Sequence, residues 1–267
     1  HVIAFIQKAK QKVVKALYDN KYYGILELLH KEDEQEMNIP KVLRDGKVDG
    51  LIFMGQMDEN YIRKMVGQSE LPVFFLDTYM PSVALDTVIS DGYYGTYLLT
   101  DYLIRNGHRK IGFVGNIEAT DSIADRFWGY RKALRENHIE FESKWEISDR
   151  SQYGKVGDKI LYGRKELDAY VCNCDYTAQI VIQDLEEMGY SVPEDVSVVG
   201  FDDFLPVGGG MDADRITSYS VNMEQMAEAC VKSLIKKMKH QKYVEGVQIV
   251  TGKIVEKKTV KSRSIAE

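Results

Sequence analysis

The chain has 267 residues, 44% of them hydrophobic, which is enough to bury a large core in one or two domains. Its 35 Lys and Arg against 41 Asp and Glu give a formal net charge of −6. That balance argues against this chain gripping a polyanion, because phosphate binding needs clustered Lys and Arg, although net charge does not exclude a local basic patch.

In chain order, short apolar runs alternate with helical patterns. Val2–Ile6, Gly24–Leu29, Val48–Gly55, Pro72–Leu76 and Thr87–Ser90 read as strands, with a helix starting directly after the first of them at Lys8–Lys10. Leu98, Leu99, Tyr102 and Leu103 then fall on one helical face, and that helix ends at Asn106-Gly107, a left-handed C-cap signal. The rhythm restarts with a strand at Lys110–Gly115, a helix at Ile123–Asn137, a strand at Ala169–Cys172, a helix at Tyr176–Gly189 and a strand at Val196–Gly200. The tail adds strands at Ile216–Val221, Val247–Val250 and Lys253–Val260. Between them lies a helix at Met223–Met238 with Ala227, Cys230, Val231, Leu234 and Met238 on one face. Lys232–Lys242 reads as a solvated charge run.

Continuously apolar strands alternating with helices imply α/β architecture with parallel sheets covered on both faces. The restart after Gly107 predicts two lobes: residues 1–107 with 219–246, and residues 108–218 with 247–267. Several crossings between lobes make a hinge and a closing cleft, and ligands in such sheets bind beyond the carboxyl ends of the strands.

Three cysteines, Cys172, Cys174 and Cys230, do not look like a disulfide framework and fit a reducing cytoplasm. Cys172 and Cys174 have no partner pair for zinc, so Cys172 reads as a core strand residue. No apolar run approaches the roughly 20 residues that span a bilayer, and no signal-peptide pattern opens the chain. A chain beginning at His1 reads as a fragment.

The polar groups at the strand-to-loop junctions carry two readings each. Asp91 is either a helix N-cap or a carboxylate for ligand hydroxyls. Arg126, placed in the first turn of a helix against the helix dipole, is either a fork of donors for hydroxyls or carboxylates, or a salt bridge with Asp125 or another acid. Asp202 is a cleft-facing carboxylate or a turn former. Asp175 reads as a helix cap, and Asn173 can point into the cleft. Gly208-Gly209-Gly210 lacks both phosphate-loop orders and reads as a flexible loop. Scattered histidines and the lack of a G-x-S-x-G turn leave an enzyme, a metal and a cofactor without support.

Taken together, these junctions resemble the lactose/galactose-repressor (LacI/GalR) family. Ser90–Gly95 through Leu103–Gly115 looks like its aspartate–helix–Gly-His–strand signature. Ala124–Tyr130 is similar to its arginine–glycine–aromatic motif, and Met188–Asp203 is the most specific segment. Val48–Ile52 and Ile216–Tyr219 add weaker support. The resemblance implies a type I periplasmic-binding-protein-like fold, two doubly wound parallel-sheet lobes joined by a multi-crossover hinge. It implies a cytoplasmic homodimer whose effector, a sugar or sugar phosphate, controls operator binding by an N-terminal helix-turn-helix absent from this chain. Asp91, Arg126 and Asp202 match the effector-contacting residues, and Thr120 and Ser122 fall at further contact positions. Arg150 stands near a position often held by a stacking aromatic, and the loop expected after the first strand is shortened. An exported sugar-binding protein of a transporter, which shares the fold, is the alternative.

Overall fold

The computed structural model describes residues 2–84, 86–151, 155–163, 166–205 and 214–263, with side chains from residue 9 onward. The glycine run at 208–210 lies outside the described residues. In chain order the helices are α1 (Val2–Asp19), α2 (Lys31–Glu36), α3 (Lys41–Arg44), α4 (Glu59–Gly67), α5 (Gly92–Arg105), α6 (Asp121–Glu136), α7 (Asp175–Glu187) and α8 (Met223–Met238). The strands are β1 (Leu51–Met54), β2 (Val73–Leu76), β3 (Thr87–Ser90), β4 (Ile111–Val114), β5 (Glu146–Ile147), β6 (Ala169–Cys172), β7 (Ser197–Asp202), β8 (Thr217–Ser220), β9 (Val247–Val250) and β10 (Lys253–Val255). They form two sheets, each in its own compact unit, so this is an α/β chain with two parallel-sheet lobes.

The four-stranded lobe comprises Val2–Ser90 and Asn222–Val250, with strand order β1-β2-β3-β9, all parallel. Val-Phe-Phe-Leu in β2 is buried throughout, as expected of a strand covered on both faces. Phe53, Tyr61, Ile62, Met65, Val73 and Phe75 form one core cluster between strands and α4. α8 packs its predicted stripe inward, with Ala227, Cys230, Val231 and Leu234 buried and Met238 half-buried. Within the lysine run, Lys237 turns from solvent to Asp86, at 2.6 Å, whose buried carboxylate also receives the Tyr243 hydroxyl and the Gly246 N–H, both at 2.9 Å.

Two expected strands of this lobe are not strands. Val2–Ile6 belongs to α1, because the apolar spacing that starts there continues as Val13 and Ala16 on one helical face. That face packs on α8, and Lys12 and Lys15 of α1 reach Glu224 at 3.2 and 3.0 Å. The expected short loop after a first strand therefore has no strand to follow. Gly24–Leu29 is irregular, with Ile25 and Leu28 exposed, since a strand exists only where a neighbour accepts its backbone bonds and none does so here among the described residues.

The six-stranded lobe comprises Asp91–Val221 and the segment from Thr251 onward, with strand order β10-β8-β7-β6-β4-β5. All neighbours are parallel except β10, which is antiparallel to β8. β4 and β6 are fully buried, and Cys172 lies in the core as the last residue of β6. The chain passes between lobes at 90–91, 221–222 and 250–251, whereas the sequence placed these crossings at 107, 218 and 246. The difference arises because α5 packs on α6 and the six-stranded sheet, and because β9 pairs with β3 rather than with the strands before it. Asn106 closes α5 and Gly107 takes the left-handed conformation (φ +88°) that lets the chain turn into β4.

Candidate functional site

In the six-stranded lobe, the carboxyl ends of β4, β5, β6 and β7 all lie on one side of the sheet, because these strands run parallel. The helices that follow strands begin on that same side. Residues 116, 149–150, 173–175 and 202–204 therefore converge there with the N-termini of α6 and α7, and the start of α5, which follows β3 of the other sheet, lies against α6.

Arg126 sits in the middle of this group. It is the sixth residue of α6, two positions deeper than the sequence suggested, so it lies past the first turn, where the helix dipole is most unfavourable to a cation. The residue is 5% exposed. One Nη donates to the Asn173 carbonyl at 2.5 Å and the other to Asp202 Oδ1 at 3.3 Å, while the guanidinium carbon lies 4.0 Å from the centre of the Phe201 ring. Its ion-pair partner is thus Asp202, not Asp125. Its Nε is buried without a hydrogen-bond partner.

Asp149 is the residue the sequence reading missed. It is 3% exposed and follows the two-residue strand β5, too short to leave a periodic signal. Oδ1 accepts the Asn116 N–H at 3.0 Å, and Oδ2 accepts Asn173 Nδ2 at 2.8 Å and Thr177 Oγ1 at 3.0 Å. Arg150 closes on the same carboxylate through Nε at 3.0 Å and an Nη at 2.6 Å. Burial by itself raises an aspartate's pKa, but the Arg150 charge and hydrogen bonds, with those from Asn173 and Asn116, outweigh it and hold Asp149 below the usual range. Arg150 is pushed down by burial and up, with the larger net effect, by Asp149.

The predicted residues divide into groups. Arg126, Asp202, Asn173 and Arg150 are joined in one hydrogen-bonded network. Within it Asn173 Nδ2 is committed to the Val114 carbonyl, Asp149 and Thr177, and Arg150 is folded onto Asp149 instead of presenting a flat stacking face. Asp91, Thr120 and Ser122 stand at the helix starts. Asp91 caps α5 by accepting the Tyr94 N–H at 3.0 Å, and Thr120 caps α6 by accepting the Ile123 N–H at 3.1 Å, with Ser122 Oγ 3.0 Å from Thr120 Oγ1. The backbone brings the two helix starts together, since a Cβ on Gly92 would lie 3.4 Å from Arg126 Cγ and 3.6 Å from the Ser122 carbonyl oxygen. Asp175 is not the α7 cap the sequence suggested. Cys174 occupies that position, and Asp175 turns inward. Among the described residues no group of three His, Cys, Asp or Glu side chains is arranged to hold a metal ion, and no helix is long and apolar enough to cross a membrane.

A family profile described as a periplasmic binding protein-like domain matches residues 100–260. The transcriptional repressor PurR of Aliivibrio salmonicida is 26% identical over 85% of this chain and 69% of its own length. The transcriptional regulator RegA of Clostridium saccharobutylicum is 27% identical with the same coverages. Among solved structures, the transcription regulator CcpA of Lactococcus lactis superposes with a TM-score of 0.80 at 22% identity, covering 96% of this chain and 94% of that one. A cellobiose complex of the regulator CelR gives 0.81 at 20% identity, with 94% and 77% coverage. A LacI family regulator of Enterococcus faecium with bound ribose gives 0.77 at 19% identity, with 97% and 95% coverage.

Proposed function

The chain belongs to the periplasmic-binding-protein-like family in its LacI/GalR regulator branch, and from that premise we propose that it is a sugar-sensing core whose ligand state sets operator binding by a DNA-binding head. The observation that carries this reading is the buried Arg126 guanidinium. A buried charge costs stability unless it is paired, and Arg126 combines a long ion pair to Asp202 with an orphaned Nε. A fold seldom keeps such a group for packing alone, and its position beyond the carboxyl ends of parallel strands is where ligands bind in this architecture.

In this reading Asp202 and Asp91 accept hydrogen bonds from ligand hydroxyls. Arg126 supplies fixed donors, and Thr120 and Ser122 add hydroxyls at the rim. Asn173 and Arg150 shape the floor through Asp149. The effector is a sugar or sugar phosphate, as the cellobiose and ribose complexes of structurally similar regulators support. The effector binds a closed arrangement of the lobes better than an open one, and only that differential affinity shifts the equilibrium. In a homodimer the shift alters the spacing of the DNA-binding heads. The relatives named above are regulators, which supports this function over a transport or enzymatic one.

The test is a thermal-shift screen against monosaccharides, disaccharides, sugar phosphates and purines. A ligand at about 100 times its Kd adds roughly 2.7 kcal/mol. Asp91→Ala and Arg126→Ala should abolish the shift given by the best ligand. If both variants bind it as tightly as the parent, the site is elsewhere.

A further inference from the structure

Just beyond β7 the backbone is strained. Asp202 and Asp203 take positive φ values of +98° and +53°, which side-chain-bearing residues rarely adopt, and adopt consecutively only when their surroundings impose it. The proposed ligand carboxylate, Asp202, is thus aimed by a turn that would relax if nothing held it.

Several groups hold that turn. Asp203 donates its N–H to Ser218 Oγ at 3.0 Å, and its carboxylate takes Lys257 Nζ at 2.7 Å. Arg126 takes Asp202 itself. A further anchor is Asp175 at the start of α7. It is 2% exposed, and its Oδ2 accepts the Phe204 N–H at 2.7 Å. Its Oδ1 has no hydrogen-bond partner and lies over Gly200, where a Cβ would come within 2.0 Å of it. Gly200 is therefore a seat cut for this carboxyl, two residues before the one it serves.

We propose that Asp175 is the positioning residue for the Asp202–Arg126 pair: its carboxyl, seated on Gly200, grips the Phe204 N–H and so fixes the strained turn that aims Asp202. The proposal rests on the reading of Asp202 and Arg126 as ligand contacts and adds the device that presents them. The chemistry of the seat fits a neutral acid. Burial, then the nearby Asp202 and Asp203 carboxylates, raise the pKa of Asp175 well above its usual value against the opposing hydrogen bonds of Ser218 and the Phe204 N–H. The charged and titratable groups around it are Asp202, Asp203 and Cys172, with Arg126 and Lys257 already engaged by the two aspartates. A neutral carboxyl keeps its carbonyl oxygen for Phe204 without adding a third negative charge to the turn.

The experiment needs no ligand, so its outcome is independent of the sugar screen. Amide exchange and the Arg126 side-chain N–H signals are followed by NMR in the parent, Asp175→Asn and Asp175→Ala, with Tyr170 and Val171 of β6 as core references. Loss of the grip should speed Phe204 exchange by about tenfold or more in Asp175→Ala and shift the Arg126 signals, while the β6 amides stay protected. Asp175→Asn, which mimics the neutral acid, should stay within about threefold of the parent. The proposal is overturned if Asp175→Ala leaves Phe204 and Arg126 unchanged, or if Asp175→Asn loosens the turn as much as Asp175→Ala does. Should Asp175→Ala fail to fold, Gly200→Ala decides: its Cβ would lie 2.0 Å from Asp175 Oδ1 and unseat the carboxyl, so Phe204 exchange should quicken with the β6 amides still protected, and Phe204 exchange equal to the parent's rejects the proposal.

Discussion

Removing the Asp149 carboxylate should destabilise the six-stranded lobe more than any surface change. In Asp149→Ala, Arg150 remains, with a side chain 9% exposed and no counter-charge, and the Asn116 N–H, Asn173 Nδ2 and Thr177 Oγ1 each lose an acceptor. Breaking a buried ion pair from one side costs about 3–5 kcal/mol because the partner stays charged and desolvated. For a lobe of this size that corresponds to a fall in midpoint of roughly 6–20 °C, at about 2–4 °C per kcal/mol. The double variant Asp149→Ala with Arg150→Met should recover part of the loss, to about 1–2 kcal/mol, since only the neutral donors then lack a partner. Calorimetry of both variants, with the two lobes followed as separate transitions, supplies the numbers. A single-variant loss below about 1 kcal/mol, or a double variant no better than the single, would show that Asp149 does not hold a desolvated charge in place.

Three further outcomes are expected. Asp86→Ala should lower the transition of the four-stranded lobe by about 2–4 kcal/mol, because Lys237, Tyr243 and the Gly246 N–H share that carboxylate; an unchanged melting profile would reject this. His108 is fully buried, its Nδ1 3.0 Å from the Leu103 carbonyl, and burial lowers its pKa below 6.5. A depressed folded pKa contributes stability that is present above the unfolded value and lost as pH falls through the folded one, so stability should start to drop as pH falls below about 6.5. His108→Gln should flatten that slope, and an equal slope in both proteins refutes the assignment. Thr120→Ala removes the α6 cap and should cost about 1 kcal/mol by denaturant titration, with no loss disproving the cap's weight.

Most of the six-stranded lobe was legible in the sequence. Its strands β4, β6 and β7 are continuous apolar runs, and a parallel sheet buried on both faces writes itself as such runs. The helix after Asp91 carried both of its signals, an Asp cap and an Asn-Gly stop. The first apolar run misled because Val2–Ile6 is too short to separate strand from helix by periodicity. The choice falls to the partner surface, which here is α8. Local spacing also could not decide where the chain passes between lobes, because α5 follows the four-stranded lobe in sequence but finds its packing partner, α6, in the other.

At the site the division is sharper. The residue types and their junction positions mark Arg126, Asp202 and Asn173 as candidates, because polar groups at the ends of apolar strands stand out from their surroundings. Their pairings are long-range: Arg126 meets Asp202 across 76 residues, and Asn173 meets Asp149 across 24. No local pattern encodes such a partner, which is why Asp202 rather than Asp125 neutralises Arg126 and why Asp149 passed unnoticed beside Arg150. Asp175 followed the same rule, since its sequence position says helix start while the space over Gly200, open only once β7 and α7 pack together, turns its carboxyl inward. Sequence chose which chemical groups stand at the strand ends; tertiary packing chose which of them meet, because burial makes an unpaired charge too costly to leave alone.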